Sequence, residues 1–396
     1  MMRSKFYFFV VLLCTSSFSF AQLTLRIEIT AIPAAHNTED IFVAGNFNNW
    51  NAGDTNYILR KENDKLVLDI KDLPLGTYQF KFTRGSWSTV EATEKGATTE
   101  NKVLRLFSNV VVQYTIDGWA DDFSIPKKNT VSKNVKLIDT AFFMPQLNTS
   151  RRIWIYLPPG YKDSKKHYPV MYLQDGQNLF DEMTSAFGQE WGVDECLDSL
   201  IAKGKPACIV VGIDNGQATR MSEYNPYEFT WKDSTQSQII LPKGDAYLRF
   251  LISTLKPFID KKYRTLSSKE NTVIAGSSMG GLISYYAALK YPEVFGKAGV
   301  FSPAFWTAPS IKMLTDSVSK KINGKFFFYM GGLEGSRYIM DMNEVAEKLG
   351  VHSNAMIYLV TDAEGSHNEK AWRKWFAEFY KWIMADGYNS VIKVEE

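Results

Sequence analysis

Residues 276–281 read Gly-Ser-Ser-Met-Gly-Gly, directly after the apolar run Thr272–Ala275 and before an apolar stretch. Small residues two before and two after Ser278 let neighbouring backbone segments pass closely in a strained turn. That turn lifts the Ser278 hydroxyl to the end of a strand and the start of a helix, the setting in which G-x-S-x-G acquires chemical meaning. A serine hydroxyl is a poor nucleophile at neutral pH and needs a base. Attack on a carbonyl also needs an acid to orient that base and two N–H donors for the oxyanion. The chain has four histidines: His36, His167, His352 and His367. His36 lies in a β-rich N-terminal region and His167 precedes the strand ahead of the serine. Where the nucleophile comes before its base in the chain, only His352 and His367 remain.

The elements that must position these groups decide between them. From about residue 151, strand-like runs (Arg152–Leu157, Val170–Leu173, Cys208–Ile213, Val273–Ala275, Ala298–Phe301, Lys325–Tyr329, Ala355–Val360) alternate with helical ones. The helices are read over Trp191–Ala202, a long stretch ending near Tyr263, Gly280–Lys290, a segment through Val345–Leu349, and Glu369–Met384. Such alternation implies an α/β domain with a mostly parallel sheet covered on both faces. His352 falls between a helix and Ala355–Val360, on the wrong edge of that sheet. His367 follows the same strand on the carboxyl edge where Ser278 sits, so the expected base is His367. The acid should leave the strand between them. Lys325–Tyr329 runs into Met330-Gly-Gly-Leu-Glu334, which favours Glu334 over Asp341, read as lying inside the next helix. One oxyanion donor should be the Met279 amide. The other should come from the turn Tyr172–Asn178, with Gln177 favoured because Gly176 permits a sharp turn before it.

Residues 24 to about 117 carry short alternating segments about every ten residues, separated by turn clusters such as Asn51-Ala-Gly-Asp54, the pattern of a β-sandwich. Lys+Arg 45 against Asp+Glu 43 leaves +2, and Arg3 and Lys5 supply that excess. A chain this neutral lacks the basic face a nucleic-acid binder needs. Arg3 and Lys5, the apolar run Phe6–Leu13 and Ser19-Phe-Ala21 read as a signal peptide over 1–21, so the protein is expected to be secreted or periplasmic. No later run is long enough for a transmembrane segment. Cys196 and Cys208 read as buried thiols, and with no CxxC or HExxH, no metal and no cofactor are expected.

Several longer stretches carry a resemblance. Arg152-Ile-Trp-Ile-Tyr-Leu-Pro-Pro-Gly-Tyr161, Tyr168-Pro-Val-Met-Tyr-Leu-Gln-Asp-Gly-Gln-Asn-Leu-Phe180, Glu223-Tyr-Asn-Pro226, Ala275–Gly281 and Phe301-Ser-Pro-Ala-Phe-Trp306 are among them. With these, residues 145–385 resemble the bacterial esterase family that includes feruloyl and acetyl-xylan esterases, enterobactin esterases and mycolyltransferases. The resemblance implies an α/β-hydrolase fold and a Ser–His–acid triad. Phe42-Val-Ala-Gly-Asn-Phe-Asn-Asn-Trp50, Tyr78-Gln-Phe-Lys-Phe82 and Arg84-Gly-Ser-Trp87 resemble the early-set, immunoglobulin-like sandwich that binds glycogen and starch. That resemblance implies glycan contact by Trp50, Lys81 and Trp87, although Arg84 stands where relatives usually carry Asp. A purely packing role for the sandwich is the other expectation.

The expected organisation is a signal (1–21), a carbohydrate-binding-like sandwich (22–118), a linker with the first hydrolase strand (119–150), a hydrolase domain (151–388) and a tail (389–396). The expected activity is serine ester hydrolysis through Ser278, His367 and Glu334, on feruloyl or acetyl esters of plant polysaccharide. Trp306 is expected in the acyl pocket or in the core. A siderophore trilactone esterase, using basic residues such as Arg220 and Arg337 as substrate contacts, is the alternative within the same chemistry. A non-catalytic glycan-binding surface protein is the alternative outside it.

Overall fold

In the computed structural model, residues 22–48, 50–97, 99–123, 128–186, 188–232, 237–385 and 391–395 are described. The signal segment 1–21 lies outside them. Strand β1 (Leu23–Ala31) alternates buried and part-exposed residues, as a strand with one face on a core must. It pairs antiparallel with β4 (Lys65–Leu73) and parallel with β8 (Val110–Thr115), while β3 (Arg60–Glu62) extends the sheet beyond β4. A second sheet joins β2 (Phe42–Gly45), β5 (Gly76–Thr83) and β7 (Lys102–Leu106). A short pair, β6 (Glu91–Ala92) and β9 (Gly118–Trp119), closes one end. The sheets enclose one core that includes Leu25, Ile27, Val43, Phe80, Phe82 and Trp119. On the opposite face of β5, Gln79, Lys81 and Thr83 are buried too.

The second unit is a nine-stranded sheet in the order β10-β11-β13-β12-β16-β17-β18-β19-β20. Its strands are β10 (Val135–Met144), β11 (Thr149–Tyr156), β12 (Val170–Gln174), β13 (Ile209–Ile213), β16 (Thr272–Ser277), β17 (Lys297–Phe301), β18 (Lys325–Gly331), β19 (Met356–Asp362) and β20 (Val391–Glu395). A separate hairpin, β14 (Phe229–Lys232) with β15 (Ser237–Ile240), lies between β13 and β16 in the chain. The first pairings, β10–β11 and β11–β13, are antiparallel; every later one is parallel. The central strands are buried on both faces and read as continuous apolar runs. The helices are α1 (Val193–Ala202), α2 (Arg220–Glu223), α3 (Gly244–Phe250), α4 (Lys256–Lys262), α5 (Met279–Lys290), α6 (Ile311–Val318), α7 (Ser336–His352) and α8 (Glu369–Met384). They form two layers over separate cores on the two faces of the sheet. Helix α5 is apolar around its whole circumference and correspondingly buried from Met279 to Leu289. This is the α/β-hydrolase fold.

The long helix expected to end near Tyr263 is one continuous helical run made of α3, a π-helical turn (Leu251–Leu255) and α4, with the hairpin β14–β15 ahead of it. One reading needs correction. Residues 391–395 of the expected tail form the edge strand β20, paired with β19 through backbone bonds that apolar periodicity does not reveal.

Candidate active site

Ser278 is the hinge between β16 and α5, with φ 59° and ψ −123°. A non-glycine residue at positive φ is strained, and the structure holds it from both sides. Its N–H donates to the Phe301 carbonyl (2.9 Å) and its carbonyl accepts from Ala304 (3.1 Å). The flanking glycines make the close approach possible. A Cβ on Gly276 would come within 2.9 Å of Gly280, and one on Gly281 within 2.8 Å of the Phe301 carbonyl.

His367 leaves the loop after β19 and meets Glu334, which leaves β18. The imidazole Nδ1 and Glu334 Oε2 are 2.7 Å apart. The imidazole keeps 39% of its surface exposed against 4% for the carboxylate, so it is the member that reaches the cleft. Burial pulls the His367 pKa down, but the Glu334 charge and hydrogen bond outweigh it and the net shift is upward. The second carboxylate oxygen is occupied as well. Glu334 Oε1 accepts from the Gly331 N–H (2.8 Å) and from the Ser302 hydroxyl (2.5 Å). Ser302 in turn accepts from the Trp372 indole N–H (2.9 Å), and the Trp372 ring packs edge-on to His367 at 5.1 Å. Ser302 and Trp372 were not singled out as site residues from the sequence, although Ser302-Pro303 lies in one of the stretches quoted above. Asp341 sits within α7 and is paired to Lys312 at 2.8 Å, away from this network.

Ser278, His367, Glu334 and Ser302 line one cleft of about 120 Å³. Trp306 forms part of its wall, packed against Trp231 (5.9 Å) and Phe229 (6.5 Å) of the β14–β15 hairpin. The opposite contribution comes from the sandwich: Trp50 and Gln79 also line the cleft. Gln79 is fixed there by a hydrogen bond from Asn101 (3.0 Å). Trp50, at φ 58°, lies 6.2 Å from Trp87, which is partly exposed. Lys81 does not join them. Its side chain is buried, its ammonium donates to the Thr99 carbonyl, and it is not among the residues lining the cleft. Arg84 is turned inward, paired with Glu39 and Asp121 and stacked over Trp119.

The expected oxyanion donors both sit at first turns. Met279 opens α5, where N–H groups have no intrahelical carbonyl to bond. Gln177 is the middle residue of the Gly176–Asn178 turn after β12, and its side chain accepts from the Asn215 N–H. The conformational reason given for that turn shifts by one residue. The positive φ (56°) is carried by Asp175, whereas Gly176 is needed because a Cβ would strike the β13 backbone at 2.8 Å. Arg220, expected among the substrate contacts, is committed elsewhere. It grips Asp175 through two 2.7 Å bonds and reaches the Ser277 carbonyl at 3.5 Å, tying the Gln177 turn to the serine strand. Glu369, at the start of α8, is a further buried carboxyl that accepts from Asn178. Burial raises its pKa.

A serine on the strand-to-helix turn of an α/β-hydrolase sheet, with an imidazole–carboxylate pair across the same cleft, defines the class of serine hydrolases. Residues 145–383 match the family described as "Putative esterase"; the chain belongs to that family and is an esterase. It is 26% identical over 255 residues to "Uncharacterized protein YbbA" of Bacillus subtilis, across 61% of this chain and 96% of that one. It is 28% identical over 195 residues to "Endo-1,4-beta-xylanase/feruloyl esterase" of Xylanibacter ruminicola, across 48% of this chain but only 24% of that protein. The solved enterobactin esterase FES of Shigella flexneri superposes with a TM-score of 0.50 at 16% identity, over 87% of this chain and 88% of its own, a likeness of fold. Among the described residues no helix is long and apolar enough to cross a membrane.

Proposed function

We propose that the protein is an exported serine esterase working through Ser278, His367 and Glu334, with feruloyl or acetyl esters of plant polysaccharide as substrates. The observation that carries this reading is the 2.7 Å His367–Glu334 contact in the cleft that Ser278 also lines. His367 Nδ1 is committed to Glu334, which leaves Nε2 to take the Ser278 proton. The hydroxyl oxygen then bonds the ester carbonyl carbon, and the Met279 and Gln177 amides receive the developing oxyanion. His367 returns the proton to the leaving alcohol, and the acyl group stays on Ser278. Water, activated by the same imidazole, releases the acid. Export rests on the N-terminal sequence, Arg3 through Ala21.

The substrate class is supported by the aromatic walls. Trp306, backed by Trp231 and Phe229, on one side and Trp50 on the other suit a planar aryl acyl group or a sugar face. The xylanase/feruloyl esterase relative points the same way. A catecholate siderophore would call for free cations at the cleft; Arg220 is neutralised by Asp175, and Arg337 is not among the residues lining the cleft. The test is a panel of methyl ferulate, acetylated xylan and a ferric catecholate trilactone, run beside Ser278→Ala. The variant should lose turnover of all three while staying folded. Undiminished hydrolysis by Ser278→Ala sinks the mechanism, and preference for the trilactone sinks the polysaccharide assignment.

A further inference from the structure

On the side of the sheet away from the cleft wall, Glu190, Asp194 and Glu195 bring carboxylate oxygens within 4.8 Å of one another. Two of the three are deeply buried, with Asp194 0% and Glu190 2% exposed. Acids in the first turn of α1 suit the positive end of that helix, which accounts for Asp194 and Glu195 as a pair. It does not account for what surrounds them. Both oxygens of Glu190, Oδ1 of Asp194 and Oε2 of Glu195 are buried without a hydrogen-bond partner among the described residues. Only Asp194 Oδ2 is satisfied, by the Ser132 N–H at 2.7 Å. An unpaired buried carboxylate oxygen costs several kcal/mol, and four in one place need a common remedy.

Two remedies come from within the chain, and neither suffices. One proton shared between carboxyls would satisfy at most two of the four orphan oxygens. Arg373 lies near enough to act on Glu190, but its guanidinium sits beside Gly192, where a Cβ would meet it at 2.5 Å, and it bonds none of the orphan oxygens.

We propose that Glu190, Asp194 and Glu195 bind a calcium ion. The donors are all hard carboxylate oxygens, with no His or Cys, which selects against zinc and copper. Oxygens on opposite sides of Ca²⁺ at 2.3–2.6 Å stand about 5 Å apart, so carboxylate oxygens within 4.8 Å of one another can share one such ion. Mg²⁺ holds ligands closer and keeps most of its water, which a buried pocket of three acids does not provide for. Glu195, only partly buried, is the entry side and the place for a bound water. The ion takes no part in ester chemistry. It fixes the segment carrying Trp191, which packs against Trp372 at 5.7 Å and Phe301 at 5.0 Å, and Trp372 holds Ser302 against Glu334. Calcium therefore stabilises the fold from behind the His367–Glu334 pair.

The test uses the full chain after exhaustive dialysis against chelator. Millimolar Ca²⁺ should raise the melting temperature by about 5 °C or more over the chelated protein. Tb³⁺ should give luminescence sensitised by neighbouring Trp191, displaced by Ca²⁺. A Glu190→Gln/Asp194→Asn variant should lose both responses. If that variant does not fold, the wild-type titration decides alone. Melting curves that coincide within about 1 °C with Ca²⁺ and with chelator overturn the proposal. So does Tb³⁺ emission that persists in the folded variant, and an equal stabilisation by Mg²⁺ overturns the choice of calcium.

Discussion

Glu334→Gln exchanges one carboxylate oxygen for an NH₂ group in a side chain only 4% exposed, so the outcome depends on which way the amide settles. At the Oε1 position two donors converge, the Gly331 N–H and the Ser302 hydroxyl. The hydroxyl can rotate to accept; the backbone N–H cannot. An NH₂ placed there would face a fixed donor and leave it unsatisfied, costing about 1–3 kcal/mol. The amide oxygen therefore takes the Oε1 position by roughly 5- to 150-fold, and the NH₂ is left facing His367 Nδ1. That inverts the imidazole: Nδ1 must accept, Nε2 carries the proton, and the nitrogen beside Ser278 is no longer a base. Amide replacement of a triad carboxylate costs about 10⁴ in kcat, or about 5.5 kcal/mol of barrier. Glu334→Gln should thus lose about 10⁴ in kcat on p-nitrophenyl acetate, with KM little changed and the melting temperature within about 4 °C of wild type. Nitrogen-15 shifts of His367 would report the inverted tautomer. A folded variant that loses less than about tenfold refutes the argument, because the base would then not depend on Glu334 for its tautomer.

Other outcomes follow from the same contacts. The upward shift of His367 means kcat/KM should rise through an apparent pKa above 6.5, since the neutral imidazole is the base. The sign for stability is opposite: the His⁺–Glu334 attraction is fully present below about pH 6.5 and is lost as pH rises through the folded-state pKa, so melting temperature should drift down as activity climbs. Parallel trends in both would contradict this. Arg220→Met leaves Asp175, whose side chain is 8% exposed, with Asn215 as its remaining side-chain partner. Because Arg220 is itself 24% exposed, the loss should be about 3 kcal/mol, or roughly 6–10 °C, with a fall in kcat as the Gln177 turn loosens. An unchanged melting curve would show the clamp to be idle. Trp306→Ala should raise KM for methyl ferulate about tenfold more than for p-nitrophenyl acetate; equal effects on both esters would remove Trp306 from acyl recognition.

The α/β-hydrolase fold was legible because its buried parallel strands are uninterrupted apolar runs, and because one edge of such a sheet collects every loop that follows a strand. That edge is why Ser278, Glu334 and His367 could be named from strand order, and the structure brings them to one cleft. What could not be read is held by contacts between distant elements. Ser302, just past β17, bonds Glu334, and Trp372, in the first turns of α8, bonds Ser302, with no local spacing to mark either. Lys81 alternates outward on its strand as a ligand contact would, but the Thr99 segment folds over it. Arg220 was a cation without a partner in the sequence because Asp175 lies 45 residues away. The hairpin β14–β15 went unread because its eight described residues are too few to establish alternation.

Trp50 and Gln79 enter the cleft from a unit with its own core, so the recognition surface is a seam between two bodies joined by one chain. Selectivity can then be retuned by how the bodies seat, through positions such as Asn46 and Gly335 at their junction, without altering the serine, the histidine or the acid. A hydrolase unit relieved of its sandwich should still cleave small soluble esters, yet grip bulky ones poorly.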